Sequence, residues 1–394
     1  MNKKTVREIN VNFKTVLLRA DLNVTFHPGS TEISDDTRIR ESLPTIQYLV
    51  KHNCKVLICS HLGRPNGSIV EDLSMKHISK RLSNLLDMPI RLIPDCVGET
   101  VTETLKSLGH GNVALLENVR FYVEEEENNH EFAQALSAPA DIYVNDAFGA
   151  SHRPHASIKR ITDMLPSVAG LLMDKELQVL DTLLSFPTHP FTAILGGAKV
   201  SDKIETLKNL TELADTIIIG GGAAATFLKS AGYSIGKSPI EEAHISSAAD
   251  MINNRQSSII LPVDVIVADS FSNDAIYQTV NITDIPNNSR IMDIGPDTAT
   301  MFKEVIRSSK TVVWNGPMGV FEWEPFSKGT ISIAECIADH TKAMTVIGGG
   351  STADIVKYLN LANRMTHVST GGGATLEFLS GETLPGVVGL LNQN

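Results

Sequence analysis

At 394 residues, 42% of them hydrophobic and 20% charged, the chain is long enough to bury two cores and too apolar to be disordered. Its formal charge of −11 argues against nucleic acid or an anionic membrane as the main partner, but leaves small anions open, because local clusters decide those. Cys54, Cys59, Cys96 and Cys336 form no CxxC, so neither a disulfide framework nor a structural zinc site is expected. The opening stretch MNKKTVREINVNFK lacks an apolar signal core and no run approaches membrane-spanning length; a reduced, soluble, cytoplasmic protein is the expectation.

In the first half, runs rich in Val, Ile and Leu at 15–19, 55–60, 113–116 and 141–145 alternate with helical stretches at 73–86 and 131–136. Such alternation predicts a parallel sheet with helices on both faces, whose ligand site gathers at the carboxyl ends of the strands. Those ends carry the unusual residues. The first run delivers Arg19, Asp21 and Asn23, with Arg38 on the loop after it; the second delivers Ser60-His61-Leu62-Gly63-Arg64-Pro65. The third runs into Glu117-Asn118-Val119-Arg120, and the fourth into Asn145-Asp146-Ala147, then His152-Arg153. An isolated arginine is ordinarily a surface solubiliser, and His61 alone reads as structural. Arg38, His61, Arg64, Arg120 and Arg153 at successive strand ends read instead as a converging grip on phosphate or carboxylate, which the guanidinium fork binds in pairs of charge-assisted bonds. The run Glu124 to Glu127 reads as a solvated helix end without chemistry.

The stretch 167–185 divides the chain. Met173, Leu177, Leu180 and Leu184 fall at i, i+4, i+7 and i+11, the apolar stripe of an amphipathic helix, with Pro166 and Ser167 at its start and Pro187 past its end. Eight of the 28 glycines lie at or before Gly170 and twenty at or after Gly196. The helix therefore bridges a half that grips with side chains and a half that grips with backbone.

Downstream, strand-like runs at 192–195, 216–219, 263–268, 311–314, 344–347 and 367–369 resume the alternation. Nearly all end in glycine or small polar residues: Gly196-Gly197, Gly220 to Gly222, Asn315-Gly316-Pro317, Gly348-Gly349-Gly350-Ser351-Thr352 and Gly371-Gly372-Gly373. Glycine admits a ligand close to the backbone, and a helix opening behind it offers N–H groups to phosphate. One such turn is weak evidence; the four glycine doublets and triplets in one domain read as a nucleotide site. Lys199 and Lys203, four apart, fall on one face of a helix if one begins there, and would bring positive charge to a moving phosphoryl group. Ala231 to Ser238, AGYSIGKS, imitates a phosphate loop, but it follows a helical stretch and runs into Pro239. The glycine fingerprint of a dinucleotide site is absent from the first strand-to-helix turn, which weakens a nicotinamide-dependent dehydrogenase reading.

RADLNV, SHLGRP, LENVRF, NDAFGASHRPHAS, GGAKVSDKI, WNGPMGVFE and STGGGATLEFL resemble, in order, the motifs of the phosphoglycerate kinase family. The resemblance covers essentially the whole chain. It implies an α/β protein of two doubly wound, Rossmann-like parallel-sheet domains joined by a hinge helix at 171–185. Residues 1–170 would bind 3-phosphoglycerate, 171–379 the nucleotide, and 380–394 would return to the first domain. The implied reaction is reversible phosphoryl transfer between 1,3-bisphosphoglycerate and ADP, with Mg2+ accompanying the nucleotide and a monomer as the working unit. By similarity, Asp21, Asn23, Arg38, His61, Leu62, Gly63, Arg64, Arg120 and Arg153 would meet the phosphoglycerate. Arg38, Lys199 and Lys203 would accompany the transferring group. Lys203, Gly295, Asn315, Pro317, Glu322, Gly349, Gly350, Ser351 and Thr352 would meet the nucleotide, and Gly371, Gly372 and Gly373 would support the phosphate. Two positions depart from the pattern. Thr25 replaces a proline, and Ser351 replaces the aspartate of GGGDT that serves the metal. Ser351 keeps a second reading open, a catalytically weakened paralogue that binds nucleotide or phosphoglycerate.

Overall fold

The computed structural model describes residues 2–253 and 257–393. Two compact units divide it, one of Met1–Gln178 with Thr383–Asn394, the other of Val179–Glu382. The division falls inside the helix Leu171–Ser185.

The first unit is built on a six-stranded parallel sheet. Its chain runs through β1 (Thr15–Ala20), the short hairpin of β2 (Thr25–Phe26) and β3 (Ile33–Asp35), β4 (Lys55–Cys59), β5 (Ile90–Leu92), β6 (Val113–Leu115), β7 (Ile142–Asp146) and β8 (Ser167–Ala169). The sheet order is β5-β6-β4-β1-β7-β8. Successive side chains of a strand point to opposite faces, and both faces here are dry. Val16 and Leu18, Val56 and Ile58, Val113 and Leu115 face one core, closed by the helices Thr37–Lys51 and Lys76–Leu86. Leu17, Leu57, Ala114 and Tyr143 face the other, closed by Glu99–Ser107 and His130–Ser137. This double burial is why the strands read as unbroken apolar runs. The C-terminal segment returns to this unit: Lys4 N–H donates to Leu391 O (2.7 Å) and Asn145 Nδ2 to Gly386 O (2.8 Å).

Two expectations for this half need correction. Residues 167–169 are the edge strand β8 rather than the start of the helix, which begins at Leu171. The cause is Asp146: its Oδ1 accepts from Leu172 N–H and Met173 N–H at 2.9 and 3.2 Å, capping the helix there. Arg38 lies not on a loop but in the first turn of the helix Thr37–Lys51.

The second unit repeats the plan with β9 (Phe191–Leu195), β10 (Thr216–Ile219), β11 (Ser258–Ile260), β12 (Asp264–Ala268), β13 (Tyr277–Asn281), β14 (Arg290–Ile294), β15 (Thr311–Asn315), β16 (Met344–Gly348) and β17 (His367–Val368). The parallel sheet runs β11-β10-β9-β15-β16-β17. The run at 263–268 does not join it. β12 pairs antiparallel with β13 and β14 in a separate three-stranded sheet. The 231–238 stretch follows the helix Gly221–Ser230 and opens no helix, as expected of a false phosphate loop. Among the described residues no helix is long and apolar enough to cross a membrane.

Candidate active site

In the first unit the strand ends form a cation cluster. The loop after β4 carries His61, Leu62 and Gly63, and Asn118, wholly buried, holds it in place. Its amide nitrogen donates to Leu62 O (2.7 Å) and Leu73 O (3.0 Å), and its oxygen accepts from Leu62 and Arg120 N–H. Arg120 is 3% exposed; Nη1 donates to Gly63 O at 2.7 Å and Nε lies 3.1 Å from Glu126. Arg38 Nη1 donates to Asp21 Oδ1 and Asn23 O, both at 3.1 Å, while Asn23 Oδ1 accepts from Gly63 N–H at 2.8 Å. Asp21, Asn23, Arg38, Gly63, Leu62 and Arg120 are thus brought together through one network. Burial, then the charges of Arg19, Arg120, Arg38 and Arg153, hold the His61 pKa well below its usual value. Burial, then Arg153, pushes Arg120 down to about 10. Like charges held this close disfavour one another until an anion joins them. Arg64 follows Gly63 on the same loop, its side chain exposed.

The glutamate run departs from its reading as a solvated stretch. Glu125 is fully buried beneath the cluster, accepting from Ser157 N–H (2.8 Å) and Ser157 Oγ–H (2.6 Å). One turn of helix, Val123–Glu126, turns it inward and leaves Glu126 to reach Arg120.

In the second unit the glycine turns abut. Gly196 N–H donates to Asn315 O (2.9 Å) and Gly197 N–H to Pro317 O (2.7 Å), at the point where the order of the parallel sheet reverses between β9 and β15. Gly221 has φ +59°, and a Cβ there would lie 2.5 Å from Gly197 N, so no larger residue fits. Gly316 N–H donates to Thr352 Oγ1 at 2.6 Å, and Gly372 sits against Gly350. The helices Gly221–Ser230, Gly350–Tyr358 and Gly372–Leu379 all open from these turns. Their N–H ends make the surface suited to phosphate oxygens. Asn315 is buried beside Gly349, and its Nδ2 has no hydrogen-bond partner among the described residues, a donor left over for a ligand.

Lys199 and Lys203 do not share a helix face. The helix Ile204–Leu213 starts after both, because Glu241 takes the Val200 and Ser201 N–H groups and holds the turn open. Lys199 is exposed, whereas Lys203 is 8% exposed with its ammonium against Gly197, and burial lowers its pKa. Ser351, Gly350 and Gly373 are exposed in first helical turns, and Gly371 N–H donates to Ser369 Oγ. Glu322 is exposed too, its segment pinned where Phe321 packs edge-on against Tyr358 of the Gly350–Tyr358 helix. Gly295 packs on the Asp264 carboxylate at the start of the helix Pro296–Ser308.

The phosphoglycerate kinase family model matches residues 6–382. The chain belongs to the phosphoglycerate kinase family. A phosphoglycerate kinase of Pelotomaculum thermopropionicum is 49% identical over the full length of both chains. The solved phosphoglycerate kinases of Coxiella burnetii and Pyrococcus horikoshii OT3 superpose with TM-scores of 0.87 each, at 39% and 34% identity. They cover 98% and 99% of this chain and 98% of their own. The protein is thus a glycolytic phosphotransferase acting on a carboxyl group, moving phosphate between 1,3-bisphosphoglycerate and ADP. For a phosphoglycerate kinase, sequence reasoning passed over the residues that hold the grip in place: Arg19, Asn118, Glu125 and Ser157. Arg19, Asn118 and Ser157 stand inside the family motifs, and an arginine within a buried strand was a signal available to find one of them.

Proposed function

We propose that the first unit takes the phosphoglycerate on its cation cluster and the second takes the nucleotide on its glycine turns. The observation that carries this is the cluster itself, Arg19, Arg38, Arg120 and Arg153 around one buried histidine, their mutual repulsion only partly offset by Asp21, Glu125 and Glu126. Asp21 and Asn23 meet the glycerate end, His61, Leu62, Gly63, Arg64, Arg120 and Arg153 the non-reacting phosphate, and Arg38 the carboxyl and then the moving group. Asn315, Pro317, Glu322, Gly349, Gly350, Ser351 and Thr352 meet the nucleotide, with Gly295 at the margin. Lys199, Lys203 and the Gly371 to Gly373 turn support the phosphate in flight. The acceptor is already an oxyanion, so catalysis needs no general base; it is positioning plus charge neutralisation. A coupled assay with 3-phosphoglycerate, ATP and magnesium tests the whole reading. Binding of both substrates without turnover would leave the weakened paralogue. The enzyme works as a cytoplasmic monomer in this reading.

Magnesium supplies charge neutralisation on the nucleotide's phosphates and arrives with them. Among the described residues no group of three or more His, Cys, Asp or Glu is gathered as a metal cage, and Ser351 offers only a neutral hydroxyl where a carboxylate is usual. In this reading the phosphates and water would hold the ion, and Ser351→Asp is expected to lower the magnesium concentration for half-maximal rate without changing 3-phosphoglycerate affinity. Identical magnesium titrations of the two proteins would remove position 351 from metal binding.

If each unit holds one substrate, transfer requires the helix Leu171–Ser185 to let them approach. Small-angle scattering should give a smaller radius of gyration with both substrates than with neither. An unchanged profile at saturation would count against closure.

A further inference from the structure

We propose that Arg19, braced by Glu125 through Ser157, is a positioning residue that fixes His61 in its Nε2–H tautomer. The inference rests on the reading of His61 as a contact to the substrate's anion. Arg19 is 1% exposed, and each of its three guanidinium nitrogens has a partner inside the protein. Nη1 donates to Ala20 O (2.6 Å), Nε to Ser157 Oγ (2.8 Å), and Nη2 faces His61 Nδ1 at 3.2 Å. A guanidinium can only donate, so His61 Nδ1 must accept with its lone pair. An imidazolium has no such lone pair. The ring is therefore neutral, its one proton sits on Nε2, and Nε2–H is its only N–H donor.

The chain behind Arg19 is directional too. The Ser157 hydroxyl gives its hydrogen to Glu125 Oε1 at 2.6 Å, which leaves its oxygen to receive Arg19 Nε. Glu125 is wholly buried; burial raises its pKa, and the Arg19 charge with the two Ser157 bonds counters this. The surrounding charges agree with a neutral ring. Arg38, Arg120 and Arg153 act on His61 from other segments, and all disfavour its protonation. His155 stands 3.9 Å from Glu125 and is itself pushed down to about 3 by burial and then by Arg120, Arg19 and Arg153. The cluster thus presents the guanidinium charges and one fixed neutral donor.

The first measurement is on the wild-type protein, a two-bond proton–nitrogen correlation of its 15N-labelled histidines. His61 is assigned by the signal missing in His61→Gln. From about pH 5.5 to about 8, the range in which a free histidine changes charge, the Nε2–H neutral pattern is expected throughout. An Nδ1–H pattern, or an imidazolium within that range, overturns the proposal. The second uses Ser157→Ala and the pair Arg19→Gln with Glu125→Gln, which leaves no buried charge alone. Each should raise KM for 3-phosphoglycerate roughly tenfold, the scale of one lost charge-assisted bond, with kcat and KM for ATP nearly unchanged. In a His61→Gln background the same changes should cost less than about twofold, since no ring remains to orient. Equal costs in both backgrounds would show a merely structural role. If His61→Gln leaves KM unchanged while the wild-type ring shows the Nε2–H pattern, the tautomer stands and the anchoring role of His61 falls.

Discussion

Arg38→Ala is expected to lower turnover by about 10²–10³-fold, the usual loss for one donor to developing charge, while ADP affinity stays within a few-fold. Arg38 belongs to the unit read as the phosphoglycerate side, so nucleotide binding should not register its loss. Its position suits a moving charge. The side chain is 35% exposed, tied among the described residues by single bonds to Asp21 and Asn23, while Arg19 and Arg120 are buried and fixed. One confounding effect can be removed. Asp21 is 6% exposed in its side chain, and truncating Arg38 leaves that carboxylate facing the incoming anion. Adding Asp21→Asn to Arg38→Ala removes that stranded charge and should not restore the rate. Full recovery of kcat in the double variant, measured at saturating substrate, would take Arg38 out of the transfer step.

The sequence made the two parallel sheets legible because their strands are buried on both faces and read as unbroken Val, Ile and Leu runs. β5 (Ile90–Leu92), β8 (Ser167–Ala169) and β11 (Ser258–Ile260) escaped: each is a three-residue edge strand, and β5 and β11 lack the fully buried run that made the equally short β6 legible. β12 looked like its parallel neighbours, since DVIVA is equally apolar. Its antiparallel partner β13, YQTVN, is mostly exposed and reads as loop, so nothing local announced the separate sheet. The anion grip was legible as residue types at strand ends, but its bracing was not. A run of four glutamates is ordinarily solvated, and what buries Glu125 is Ser157, 32 residues further along the chain. Lys203 was found for a reason that fails. Spacing on a helix pointed to it, whereas its burial follows from the open turn at Gly197 and the Glu241 carboxylate that holds Val200 and Ser201.

That burial makes Lys203 the more telling test of the nucleotide side. Its ammonium is desolvated against the Gly197 turn, with Asp202 opposing the fall in its pKa. Holding a cation out of water is unfavourable until an anion arrives to pair with it. Lys203→Ala should therefore reduce kcat/KM for ATP by about 10²–10³-fold, as when a preorganised charge at a transferring phosphoryl group is lost. Binding of 3-phosphoglycerate, followed by calorimetry without nucleotide, should be unaffected. The stability of the free enzyme discriminates further. Lys203→Met, which fills the space without the charge, should melt no lower than wild type although it is nearly inactive. A structural lysine would behave in the opposite way, with lower melting and activity reduced only in proportion to the folded fraction. Lys237 supplies the control. It is exposed on the loop that imitates a phosphate site, where only its backbone N–H, donating to Ser289 O at 2.7 Å, has a structural task. Lys237→Ala should leave ATP kinetics and melting within error of wild type. If Lys237 is the sensitive lysine and Lys203 the silent one, the phosphate surface lies on the 231–238 loop and not on the glycine turns.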